Sequence, residues 1–291
     1  MKRSNACKID KEFMQNHLEN IKAHNYELRT GFIDLDYCWG GLKKGSIYFI
    51  GARPGMGKTT FAINIANYLA VKEKLPVAIF SLDDTKEQLV NRILANEAKV
   101  DSVKLRRGLL DEDTLAKIEQ ASENVGNGFM VIDDTPGLSV EDISKKLNDS
   151  IMDGVKVVFI DYLQLLTTRE KAKSKDEEMD HICRMLKEMA VKHDVAVIVL
   201  SQISRLADAR ADQRPELGDI ESMDAIVTYF DNVSFIFREE YYNRQTEYRN
   251  IAEIITARSR NGWDGTVKLA WLPEYQRFCN LDRDNQEEQG Q

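Results

Sequence analysis

Short apolar runs alternate with amphipathic stretches along most of this chain. The runs at 47–52, 77–82, 129–132, 155–161 and 195–201 are too short for helices and are bounded by polar or turn residues, so they predict buried strands. Between them, 59–71, 86–97, 113–124, 140–151 and 177–192 repeat apolar residues at helical spacing. Strands that are apolar on both faces need helices on both sides, which predicts an α/β fold with a mostly parallel central sheet. Beyond residue 232 the rhythm changes. Runs at 233–237, 251–256 and 266–271 follow with short loops and predict added strands at one edge, antiparallel in part. Near the start, Met14, Leu18 and Ile21 fall at i, i+4 and i+7. That narrow stripe suits either a helix on its own domain or an arm that docks on a neighbouring subunit. The expected organisation is an arm at 1–29, one domain at 30–281, and a polar tail at 282–291 expected to be disordered.

Composition narrows this picture in two places. Four cysteines, Cys7, Cys38, Cys183 and Cys279, show no paired spacing, which favours a reducing, cytoplasmic setting over a disulfide framework or zinc site. No apolar run approaches the roughly 20 residues needed to cross a bilayer, so no membrane partner is expected. The net charge of −8 is unlike that of a protein that coats nucleic acid with its whole surface. A basic groove within an acidic body remains compatible with it.

The strongest chemical signal is Ala52-Arg53-Pro54-Gly55-Met56-Gly57-Lys58-Thr59-Thr60, which leaves a predicted strand and enters a predicted helix. That context makes a phosphate-binding loop: backbone N–H groups converge on phosphate oxygens at a helix N-terminus. Gly57 permits close approach, Lys58 would reach the β- and γ-phosphates of a nucleotide, and Thr59 would place its hydroxyl on Mg²⁺. A second strand ends in Asp161, an acceptor for metal-bound water. A third ends in Ser201-Gln202, where an amide can sense the γ-phosphate.

These strings occur in the order found in DnaB-type replicative DNA helicases, and the chain resembles the RecA-like ATPase domain of that family. The other matching strings are Phe80-Ser81-Leu82-Asp83, Ile132-Asp133-Asp134-Thr135-Pro136, Ile160-Asp161-Tyr162-Leu163-Gln164-Leu165, Ser201-Gln202-Ile203-Ser204-Arg205 and Glu253-Ile254-Ile255-Thr256-Ala257-Arg258-Ser259-Arg260-Asn261-Gly262. The resemblance runs from about Thr30 to Asp282 and leaves out the family's separate N-terminal domain. It implies a hexameric ring that binds ATP and Mg²⁺ at subunit interfaces and moves on single-stranded DNA in replication, with a loader or primase as possible partners. It also implies that Asp83 positions the attacking water, and that Arg260, with Arg258, reaches into the neighbour's site. Without the resemblance these two arginines read as solvated side chains before an Asn-Gly turn.

Departures from the family pattern bear on activity. Asp83 stands where the family has glutamate, which shortens the reach by roughly 1.5 Å. In the loop that grips DNA phosphates, Glu221 replaces an arginine and Asp224 a glycine, so the usual grip is reversed in charge. Candidates to compensate are Lys171 and Lys173 in a basic run, and Arg205, Arg210 and Arg214 after Gln202. A solvated surface run is the alternative for both groups. The expected function is an ATP-dependent DNA helicase motor. A helicase-like nucleotide-binding protein that acts as loader, inhibitor or ring subunit stays open, as does a recombinase or clock-type ATPase.

Overall fold

The computed structural model describes residues 28–281 together with Met14, Gln15, Leu18 and Glu19. Its centre is a nine-stranded sheet in the order β3-β2-β4-β5-β1-β6-β7-β8-β9. The strands are β1 (Ile47–Ala52), β2 (Val77–Ser81), β3 (Met130–Asp133), β4 (Val157–Asp161), β5 (Ala196–Gln202), β6 (Asn232–Phe237), β7 (Ile251–Ser259), β8 (Gly265–Leu272) and β9 (Arg277–Asn280). The first six in chain order pair in parallel, and β7, β8 and β9 add on antiparallel. Every residue of β1, β2, β4 and β6 is buried, as strands covered on both faces must be.

The helices fall on two sides. On one face lie α1 (Ile33–Trp39), α2 (Lys58–Asn67) and α3 (Lys86–Ala98), which bury Trp39, Phe61, Ile65, Leu89 and Ile93 against the sheet. The short α4 (Ser102–Arg107) and the largely exposed α5 (Glu112–Gly126) pack outside α3. On the other face α6 (Val140–Lys146), α7 (Lys175–His193) and α8 (Met223–Tyr229) bury Ile143, Leu186, Met189 and Ile226. Local chemistry sets the ends. Thr85 and Gln88 form a reciprocal capping box at the start of α3, and Ser139 with Asp142 does the same for α6.

The sheet, its polarity and the partly antiparallel edge match the sequence expectation, and the fold is RecA-like α/β. The differences are local. The helix expected over 59–71 ends at Asn67 and passes into a π turn, and that expected over 140–151 stops at Lys146. Strand β9 and helices α1, α4 and α8 are too short to give a periodic signal. Met14 and Leu18 are helical and about half exposed, at 45% and 48%. Ile21, which completes the arm's stripe, and the tail at 282–291 lie outside the described residues. Among the described residues, no helix is long and apolar enough to cross a membrane.

The entry to the domain is fixed by a buried carboxyl. Thr30 donates to Asp36 Oδ1 from its backbone N–H at 2.7 Å and from its hydroxyl at 2.8 Å. Burial still pushes the Asp36 pKa up to about 6, against the pull of those bonds. In the unfolded chain the group ionises at its ordinary 3.8. A raised folded-state pKa means that this contribution to stability is full in acid and is lost as pH rises from about 4 to 6. Urea titrations of native protein and Asp36→Asn should therefore diverge with pH. The variant is expected to gain up to about 3 kcal/mol relative to native between about pH 3.5 and 7, and a pH-independent difference contradicts this.

Candidate functional site

Parallel strands deliver their carboxyl ends to one edge of the sheet, where ligand sites of this architecture form. At that edge β1 runs into the turn 53–57 and then into α2. Gly57 takes φ 98°, a left-handed conformation that favours glycine, and a Cβ there would stand 3.1 Å from the Phe278 ring. The first helical hydrogen bond of α2 runs from Phe61 N–H to Gly57 O at 2.8 Å. The N–H groups of Lys58, Thr59 and Thr60 thus precede the helical ladder, the arrangement that makes a helix start an anion site. They border a cavity of about 450 Å³ that Arg53, Gly55, Arg92, Trp271 and Gln276 also line.

Two neighbouring strands complete the floor. Asp161, at the end of β4, is 5% exposed and accepts a hydrogen bond from Thr59 Oγ1 at 2.5 Å. Burial raises its pKa, opposed by the Thr59 bond and the Lys58 charge. Lys58 lies 5.6 Å over the Tyr162 ring. Burial pushes its ammonium below the usual lysine range, while Asp161, Asp83 and Asp84 pull it back up. A partly desolvated ammonium and a hydroxyl–carboxylate pair fit a polyanion with its metal. Mg²⁺ is commonly held by one or two protein oxygens plus substrate phosphates, and Thr59 and Asp161 supply oxygens of that kind.

The other candidate residues are distributed around this floor. Asp83 is exposed at the end of β2, on the side that acts on Lys58, whereas Asp84 pairs with Arg92 at 2.8 Å. Gln202 is exposed at the end of β5, beside Ala52 in register. Within the turn, Pro54 and Gly55 are exposed, but Met56 is a core side chain at 1% exposure. The Thr60 hydroxyl bonds Gln276 Oε1, on the same cavity wall, at 3.1 Å. Arg53 points to Asp208, at 3.0 and 3.2 Å.

Arg258 and Arg260 are far from this edge. Strand β7 runs antiparallel, so Ser259 pairs with Asn232, which in turn pairs with Tyr48 near the start of β1. Arg260 donates its backbone N–H to Asp231 O at 2.8 Å and a guanidinium N–H to Thr228 O, and Arg258 donates to Phe230 O at 3.1 Å. The length of β1, roughly 16 Å at 3.3 Å per residue, separates this end from the cradle of the same chain.

The proposed nucleic-acid residues divide into two groups. Lys171, Lys173 and Arg205 are exposed. Arg210 is tied to Asp219 and Glu216, and Arg214 to Glu253 and the Phe237 ring, so internal ion pairs hold both. Glu221 pairs with Lys175 at 3.4 Å, and Ser222 Oγ donates to Asp176 at 2.6 Å.

Two contributors escaped the sequence reading. Arg238, 9% exposed after β6, donates to Gly55 O at 3.1 Å and lies 4.9 Å over the Trp271 ring, bracing the turn from behind. Gln164 grips the end of β5: its amide N–H groups reach Ser201 Oγ and Gln202 O, both at 2.9 Å, and its Oε1 accepts from Gln202 N–H at 3.2 Å. An amide just after an acidic strand end was the available signal for Gln164. Arg238 gave none beyond its place after a strand.

The sheet, the helix-start anion cradle and the hydroxyl–carboxylate floor define a P-loop nucleotide site of the RecA-like class. A family model described as DnaB-like helicase C terminal domain matches residues 27–280, and the chain belongs to that family. It is 39% identical over 290 residues to the replicative DNA helicase DnaB of Geobacillus stearothermophilus, covering 97% of this chain and 64% of that protein. It is 41% identical over 268 residues to the replicative DNA helicase DnaC of Bacillus subtilis (strain 168), covering 91% and 59%. The chain thus spans about 60% of the length of these relatives. The solved ATPase domain of G40P superposes with a TM-score of 0.87 at 33% identity, covering 96% of this chain and all of that one. A DnaB-like replicative helicase solved in a study of its interactions with primase gives 0.85 at 32% identity, covering 97% and 69%.

If the Thr59–Asp161 pair receives a metal, Asp161→Asn keeps an acceptor for the threonine hydroxyl but loses the charge. Calorimetry with and without Mg²⁺ is expected to show nucleotide affinity down about 10–100-fold with the metal and little changed without it, the scale set by lost metal-site support. An equal loss in both conditions contradicts this role.

Proposed function

We propose that the chain is the ATP-hydrolysing motor of a ring-shaped replicative DNA helicase that moves on single-stranded DNA. The carrying observation is the pairing of Thr59 with Asp161 beside the half-buried Lys58, at the head of α2. In this reading Lys58 and the N–H groups of 58–60 hold the β- and γ-phosphates. Thr59 and Asp161 would hold Mg²⁺, which when bound would supply Lewis-acid polarisation of the γ-phosphate. Asp83 orients the attacking water from the end of β2. A carboxylate in that role contributes about 10²–10⁴ in rate when well placed, and the reach of Asp83, one methylene shorter than glutamate, predicts slow turnover. Gln202 lies where an amide can register the γ-phosphate.

Arg260 cannot serve its own cradle, because the sheet places it at the other end. A second copy placed head to tail brings it to the neighbour's γ-phosphate, where such an arginine contributes about 10³–10⁵ in rate. Head-to-tail contacts of one kind close into a ring when the rotation allows, and the exposed Met14 and Leu18 of the arm suit a contact with the next subunit. The same logic assigns Lys171, Lys173 and Arg205 to phosphate contacts in the channel, with Glu221 and Asp224 weakening the grip. A loader or primase as partner, and a cytoplasmic setting, belong to this reading through the named relatives.

ATPase with and without oligothymidylate tests it. Native protein is expected to hydrolyse MgATP slowly, with stimulation by DNA, and to unwind a forked duplex. Lys58→Ala should do neither, and Glu221→Arg should bind DNA more tightly, with a salt slope steeper by about 0.7 for the added contact. Hydrolysis that DNA never alters, in native protein and Glu221→Arg alike, contradicts the motor and favours a nucleotide-binding accessory of a helicase.

A further inference from the structure

Strand β5 does not end freely at Gln202. The segment beyond it is tied back to the phosphate-binding turn by one side chain, Asp208. Arg53 Nε and Nη2 bond its two oxygens at 3.2 and 3.0 Å, and Arg53 Nη1 donates to Ile203 O at 3.1 Å. On the far side Tyr242 donates its hydroxyl to Asp208 Oδ1 at 2.8 Å. The backbone reinforces the junction, since Ile203 N–H donates to Ala52 O at 3.3 Å. From Asp208 the segment continues as a braced unit: Arg210 binds Asp219 and the carbonyl of Arg214, and Arg214 binds the buried Glu253. The acidic loop of Glu221 and Asp224 follows directly.

Arg53 is thus shared between two sites. It lines the nucleotide cavity, and its side chain is only 14% exposed, so an anion entering the cavity meets a guanidinium already held by a carboxylate. A bidentate arginine–carboxylate pair is planar and directional, and it does not slide. In the structure Asp208 is held by Arg53 and Tyr242 together. A phosphate that takes Arg53 would leave Tyr242 alone to retain Asp208.

We propose that Asp208 is a positioning residue that relays nucleotide occupancy to the loop at 203–224, with phosphate and Asp208 competing for Arg53. Nucleotide draws Arg53 off Asp208 and frees the loop to close on single-stranded DNA. DNA that draws the loop away loosens the same pair and so favours nucleotide. Both ligands bias one two-state element, and linkage requires each to raise the other's affinity by the same factor. The relay rests on the motor reading above, because it needs that loop to face DNA.

The test is a thermodynamic cycle on the full chain. Fluorescent oligothymidylate binding is followed by anisotropy with and without a non-hydrolysable ATP analogue and Mg²⁺, and analogue binding is followed with and without DNA. In native protein the coupling factor is expected within the usual range of about 5–150. In Asp208→Asn it should fall to near one, because the nucleotide-free variant already binds DNA about as tightly as nucleotide-loaded native protein. A merely structural role would instead lower affinity in both states. Tyr242→Phe, which leaves Arg53–Asp208 in place but loosens the other hold, should shift the same balance by a smaller amount, and it stands in if Asp208→Asn does not fold. Coupling that stays at its native value in Asp208→Asn and in Tyr242→Phe alike overturns the relay. No coupling in native protein, with nucleotide binding intact, overturns the DNA reading beneath it.

Discussion

The polarity of the sheet governs the rest of this structure. Six strands run the same way, so the turns after β1, β2, β4 and β5 gather at a single edge, and Lys58, Thr59, Asp83, Asp161 and Gln202 meet there. The reversal at β7 sends its last residues, Arg258 among them, and Arg260 just beyond, to the opposite edge. No side-chain rotation undoes that separation. Asp231 holds the distant edge in order: its carboxylate accepts from Ile47 N–H at 2.9 Å and from Lys187 Nζ at 2.6 Å, and lies 3.7 Å from Arg260 Nη1. The cradle and the two arginines thus lie at opposite edges of one chain.

Electrostatics at the cradle follow from its burial. Lys58 and Asp161 are both taken from water, and burial disfavours the charged form of each, so each depends on the other and on what enters the cavity. The turn that holds them is braced from outside, by Arg238 on Gly55 O and by Arg53 on the segment after β5. A phosphate cradle is a preorganised set of donors, and bracing keeps those donors aimed before any ligand arrives. The close fit extends to Gly51, where a Cβ would stand 2.8 to 2.9 Å from side-chain atoms of Phe49, Ile203 and Phe235.

Much of this was legible along the chain. Buried parallel strands announce themselves as unbroken apolar runs, and the cradle joins glycine, lysine and hydroxyl at a strand–helix junction. Hence the sheet, Lys58, Thr59 and Asp161 could be placed in advance. What could not be read were features created by long-range contact. The Thr60 hydroxyl meets Gln276, another residue of the cavity wall, across 216 positions of sequence. Arg210 and Arg214 look like free cations, yet the carboxylates of Asp219 and Glu253 hold them, and the pairing depends on how the chain turns after β5. The distance of Arg260 from its own cradle emerges only once β7 is known to run backwards. Short helices such as α8 give too few turns for a periodicity.

In the function proposed above, a complete site needs the cradle of one copy and the arginine of another. Mixing two inactive variants tests it most directly: Lys58→Ala retains Arg260 but lacks a working cradle, and Arg260→Ala the reverse. ATP hydrolysis that is near zero for each alone and appears when they are assembled together is the predicted result. Full activity of Arg260→Ala by itself, or no recovery in mixtures shown to contain both chains in one particle, contradicts the account.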